Sequence, residues 1–182
     1  MSINWEEDEK NTGGNFKNFA ADGKYTVKCD DVEVKEVGTN GSVIMKFHFE
    51  DADDVQYPTA DHWLSFNKDS FRHIHNRRLM VVFGASDDNA KKAVEMAESK
   101  AGKENIMKAY EQCYKKLLAK KPTVEIEVYT ELNEKTGKEY ARAEFTDRSV
   151  AMPHGNAPAK TTTESADVIA EGEAVDLSEI PF

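Results

Sequence analysis

The side chains whose types and spacing invite chemistry are few. His73 and His75 stand two apart, so on a helix they diverge by about half a turn and do not converge on one metal ion. Asp51, Asp53 and Asp54 suit a cation site or a turn between strands, and turns are the commoner use of such residues. Cys29 and Cys113 are distant, have no CxxC or Cys/His spacing, and sit in apolar-patterned segments, which reads as two buried thiols. The sequence has no GxxxxGK loop, no HExxH and no nucleophile motif, so an enzyme is not expected, nor a cofactor or metal.

The last residues, DLSEIPF, pose a different kind of chemistry. Ile180 and Phe182 are apolar, Pro181 stiffens the chain between them, and Phe182 also carries the terminal carboxylate. A ring and a charge offered together suit a partner pocket with an apolar floor and a basic rim. The opposing reading is a frayed terminus with no role.

These residues need elements to place them. The length of 182 residues allows one domain and a tail. The N-terminus is acidic and lacks a signal-peptide pattern, and no apolar run approaches a membrane span, so a cytoplasmic location without membrane contact is expected. A net charge of -10 argues against indiscriminate coating of duplex DNA or anionic lipid, but it is unevenly spread. Residues 60–121 hold 13 Lys and Arg against 8 Asp and Glu, whereas residues 151–182 hold one Lys against six acids.

Residues 1–22 read as an N-terminal extension, 23–150 as the folded domain, and 151–182, rich in Ala, Pro, Thr and acid, as a disordered tail. In the domain, Tyr25, Val27 and Cys29 alternate and Val32 and Val34 resume out of phase, which predicts a β-bulge at Asp30–Asp31. The turn GTNG and the alternation Val43, Met45, Phe47, Phe49 complete a hairpin. A third strand in DHWLSF puts His62, Leu64 and Phe66 on one face and Trp63 on the other. Residues 69–121 read as a helical insertion. Its first part suits a helix closed by Gly84 with a stripe of Phe71, Ile74 and Val82, although its LMVVF end also suits a strand. Ala90, Val94, Ala97 and Ala101 follow, then a weak point at Gly102, then Ile106, Tyr110, Cys113 and Leu117. After Pro122, a hairpin with Asn133 opposite Lys138 puts Val124, Ile126 and Val128 on one face with Ala141, Ala143 and Phe145. The expected class is mainly β with a helical insertion, in the strand order of the OB-fold, a five-stranded Greek-key barrel.

With the tip Asp176, Glu179, Ile180, Pro181 and Phe182 on an Ala/Pro/Thr-rich linker behind such a barrel, the chain resembles the bacterial-type single-stranded DNA-binding proteins. The long helical insertion looks more like the phage and prophage members of that class. The resemblance implies sequence-tolerant binding of single-stranded DNA by the barrel. It also implies recruitment of replication, repair or recombination proteins, such as a helicase, primase, nuclease or recombination mediator, through Ile180, Pro181 and Phe182, with Asp176 and Glu179 steering. Homo-oligomers are compatible with it. The acids here are interrupted by Leu177 and Ser178, where the family has an unbroken run.

Holding a single strand requires cations for phosphates and aromatic faces for bases. Off the apolar strand faces these are Lys46, His48, Trp63, Tyr129, Lys135, Lys138, Tyr140 and Arg142, and off the helical stripe Arg72 and Arg77. Trp63 has a second reading as a cover over the helices, and Tyr140 and Arg142 one as an ordinary solvated face, with Glu127 opposite Glu144 repelling phosphate farther along. Arg78, inside the stripe, reads as a structural ion-pair partner. The lysines of residues 91–121, interleaved with acids, read as a solvated surface. Three alternatives stay open: a recombination mediator or strand-annealing protein, a protein adaptor, and, more remotely, a metal-dependent nuclease.

Overall fold

The computed structural model describes residues 18–52, 55–147 and 180–182. Most of the N-terminal extension, Asp53, Asp54, and the tail with Asp176 and Glu179 lie outside the described residues. The elements are β1 (Asn18–Phe19), β2 (Gly23–Val37), β3 (Ser42–Phe49), β4 (Val55–Gln56), β5 (Ala60–Trp63), β6 (Thr123–Asn133) and β7 (Lys138–Phe145). Three helices, α1 (Asp69–Val82), α2 (Asp87–Glu98) and α3 (Lys103–Leu118), lie between β5 and β6.

The barrel follows from β2. Its first half pairs with β6 and its second half with β3, and the register slips between Cys29 and Asp31. That bulge changes the parity of the side chains, so Val27 and Cys29 before it and Val32 after it all point inward and are buried. The order β2-β3-β5-β7-β6 closes through the parallel contact of Ala60 with Ala143, giving a closed five-stranded mixed barrel of the OB type. The β6–β7 hairpin adopts the expected register, Asn133 opposite Lys138, with Gly137 at φ +66° where a side chain would be strained. A two-residue parallel pair, β1 with β4, joins the chain ahead of the barrel to the β3–β5 connection. Two-residue pairings of this kind carry no periodicity to read.

The helices complete the core. Phe83, after α1, and Tyr114 of α3 meet Phe47 at ring-centre distances of 5.1 and 5.2 Å, and Phe145 joins them at 5.6 Å. Ser86 caps α2 by accepting from the Asn89 amide at 3.2 Å, and Gly84 at φ +93° ends α1 as expected. Gly102 is a full break between α2 and α3, so Ala101 is exposed and leaves the apolar stripe expected to include it. Both thiols are free and buried; burial pushes Cys113 up to about 12 and Cys29 further in the same direction, so neither is a nucleophile at neutral pH.

The inner face of α1 differs from the expected one. Arg72, Asn76, Leu79 and Met80 are buried, whereas Ile74 is 47% exposed and Arg78 lies on the surface. A polar network turns the helix. Arg72 donates to Glu98 from Nε at 2.7 Å and Nη2 at 2.6 Å and to the Ser65 carbonyl at 2.8 Å, and its guanidinium lies 4.5 Å from the centre of the Phe66 ring. Asn76 donates to the Arg72 carbonyl and accepts from the Tyr114 hydroxyl at 2.7 Å. Tyr110 donates to Glu98 at 2.7 Å. Burial opposes charge on Glu98, but the bonds from Arg72 and Tyr110 outweigh it and hold the carboxyl below its usual range. Among the described residues, no helix is long and apolar enough to cross a membrane.

Candidate functional site

Strand register lays out the outer face of the barrel in rows. Lys35, Ile44 and Trp63 form one row across β2, β3 and β5; Glu33, Lys46 and Asp61 form the next. His48 lies opposite Asp31 one row further. On the adjoining hairpin, Tyr129 pairs with Arg142, Glu131 with Tyr140 and Asn133 with Lys138, on the face away from buried Val128 and Ala143. Ion pairs join the strands. Lys46 reaches Asp61 at 3.0 Å, Arg142 stands 3.7 Å from the same carboxylate, and Arg142 Nε lies 3.0 Å from Glu131.

Trp63 is half-buried beside Ile44, which it and Lys35 flank in register; Ile44 is only 6% exposed although it is on the outer face. Trp63 therefore both packs and stays partly exposed. Tyr129 donates to Glu144 at 3.2 Å, and burial followed by that carboxylate raises its phenol to about 12. Tyr140 is 43% exposed at the outer part of the hairpin. Lys135 and Lys138 are exposed there with no ion pair among the described residues. Lys35, which pairs with Glu33 at 3.1 Å, belongs to this surface and was missed, whereas Leu132, 56% exposed, lies on the hairpin's opposite face. Leu132 follows the inward period of β6 and was hidden because β6 outruns the barrel; Lys35 alternates with Val34 and was legible.

Three expected positions change. Arg72 is 4% exposed and saturated by Glu98, Ser65 and Asp69, so it is a structural residue and no phosphate reaches it. His48 lines an acidic recess with Asp30, Asp31, Glu50 and Asp51, whose field repels phosphate. Arg77 is on the surface as expected but clamped to Asp87 by two 2.5 Å bonds, whereas Arg78 makes no ion pair among the described residues. Arg77 and Arg78 border a groove of about 460 Å³ floored by Ile74, Val81 and Val82. Among the described residues, no group of three or more His, Cys, Asp or Glu side chains is placed to hold a metal ion.

The tip is seated on the body. Ile180 is 3% exposed within the core cluster, Phe182 packs against that cluster, and Lys116 of α3 donates to the Ile180 carbonyl at 2.6 Å. Burying one isoleucine contributes about 1.5–3 kcal/mol.

The fold and site define a closed OB-type barrel with a helical insertion and a mixed cationic, acidic and aromatic outer face. No family model matches the sequence, and no curated protein or solved structure matches it either.

Proposed function

We propose that the chain is a non-catalytic, cytoplasmic single-stranded DNA-binding protein of phage or prophage type, acting in replication, recombination or repair, with a C-terminal tip that recruits partner proteins. The observation that carries the reading is the alignment, on one closed five-stranded barrel, of Trp63, Tyr129 and Tyr140 with Lys46, Arg142 and Lys138 across neighbouring strands. Aromatic rings interleaved with cations are what a sequence-tolerant grip on unpaired bases requires, with each stack contributing about 1–3 kcal/mol.

The carboxylates on this face set the terms of binding. Lys46 and Arg142 hold Asp61 and Glu131 in exposed or half-exposed pairs, and such pairs contribute only about 0–1 kcal/mol each, so a phosphate displaces them at small cost. Lys135 and Lys138 at the hairpin end offer charge with no such exchange. Binding on this pattern is weak in high salt and steep in its salt dependence.

The deciding experiment is fluorescence polarisation of a labelled oligo-dT with the full chain at two salt concentrations, beside a duplex of equal length. Salt-sensitive binding of the single strand with weaker binding of the duplex is the expected result. No binding in dilute buffer defeats the proposal. Acceleration of complementary-strand pairing in the same titration identifies an annealing protein instead.

A further inference from the structure

The tripeptide that reads as a hook for other proteins is not presented to solvent. Ile180 is 3% exposed and belongs to the buried apolar core, to which α3 contributes Cys113 and Leu117, and Phe182 packs against that core. The Lys116 ammonium, in the last turn of α3, donates to the Ile180 carbonyl at 2.6 Å. Lys116 thus places a cation two residues along the chain from the terminal carboxylate of Phe182. One turn back on the same flank of the helix, Gln112 has a buried side-chain oxygen with no hydrogen-bond partner among the described residues. Apolar floor, cation, and a backbone carbonyl bound by a side chain together form a peptide-binding site.

We propose that the last turn of α3 is a receptor for a C-terminal Ile-Pro-Phe, occupied by the chain's own tip, so that the body competes with any partner for the hook. The seat rests on the geometry alone; the competition rests on the reading of the tip as a partner-docking element. Its consequence is a gate. A partner captures only the released tip, and a tip seated nine-tenths of the time lowers a partner's apparent affinity about tenfold. Weakening the seat strengthens capture without altering any residue the partner touches.

Two measurements test it. In full-length protein with 13C-labelled isoleucine methyl groups, assigned through Ile180→Val, the Ile180 methyl resonance is expected away from its position in a free DLSEIPF peptide, with cross-peaks to α3. In Lys116→Glu it returns to the free-peptide position. Second, a fluorescein-labelled DLSEIPF peptide is titrated against the full chain and against a chain ending at Glu179. The shortened chain is expected to bind at least about tenfold more tightly, because its seat is empty. Adding Lys116→Glu to the shortened chain abolishes that gain, because it removes the donor to the Ile180 carbonyl. An Ile180 methyl at the free-peptide position in the unmodified protein overturns the proposal, as does equal peptide binding by the full and shortened chains. Neither measurement uses DNA or a partner. Failure here leaves the nucleic-acid reading standing, and a chain that seats its tip but ignores oligonucleotides defeats that reading alone.

Discussion

Replacing Glu98 with alanine isolates the network that turns α1. The substitution leaves the Arg72 guanidinium, 4% exposed, between α1 and α2 with the Ser65 carbonyl and the exposed Asp69 as its remaining partners, and it also strips the Tyr110 hydroxyl of its acceptor. Removing one member of a buried ion pair costs about 3–5 kcal/mol. Because Arg72 keeps two partners and the Glu98 side chain is itself 16% exposed, the lower end applies, about 3 kcal/mol. For a body of this size that is a fall in Tm of about 10 °C. The double variant Arg72→Met, Glu98→Gln removes the stranded cation while keeping an acceptor for Tyr110, and it recovers most of the loss. Thermal and urea unfolding followed by circular dichroism measure both, and the penalty of the single variant changes little with salt because the pair is shielded from solvent ions. Oligo-dT affinity of Glu98→Ala, read well below its Tm, stays within about twofold, since Arg72 is not a contact. A single variant within about 0.5 kcal/mol of the parent refutes the reasoning, and so does a double variant as unstable as the single.

Four further outcomes follow from the same geometry. Burial, and secondarily His75, lowers His62 to about 3 in the folded protein, while the unfolded chain protonates near 6.5; His62 stability is therefore complete above the unfolded value and is lost as pH falls toward 3, reaching about 2 kcal/mol by pH 5. Urea titrations at pH 7 and pH 5 read it, and His62→Leu flattens that difference. Trp63→Ala weakens oligo-dT binding by about 1–3 kcal/mol, and unchanged affinity with a lowered Tm assigns Trp63 to packing alone. Lys135→Ala and Lys138→Ala each reduce the slope of log affinity against log salt by about 0.7, and slopes equal to the parent's remove the hairpin end from the interface. Truncation from about Thr161 tightens DNA binding most at low salt if the acidic tail opposes DNA, and unchanged affinity at matched salt excludes that opposition.

Where neighbouring residues enforce one another, the fold was legible in the sequence. The bulge at Cys29–Asp31 announces itself because Val32 and Val34 resume out of phase, and one register alone satisfies both β6 and β7. α1 was misread because its inner face is partly polar. Arg72 and Asn76 are buried through partners 26 and 38 residues distant, Glu98 and Tyr114, and a hydrophobic stripe cannot register that. Lys46, Trp63, Tyr129, Tyr140 and Arg142 were legible as outward residues, since alternation is local. That Lys46 and Arg142 flank Asp61 was not, because strand adjacency through β5 and β7 is a property of closure. Nor was the seating of Ile180 on α3, which joins two stretches with no shared pattern.

Closure of the barrel has a temporal side. The seam is a single parallel contact, Ala60 with Ala143, about 80 residues apart along the chain. On a ribosome adding roughly 5–20 residues per second, the first half of that seam waits roughly 4–16 s for the second. During that interval the open edge of β5 and the inner face of β3 are exposed to aggregation and to chaperones. The helices emerge in the gap, so Phe83 and Tyr114, which touch Phe47 in the folded protein, are synthesised before Phe145. Helical packing thus shelters the nascent sheet until translation delivers its last strand.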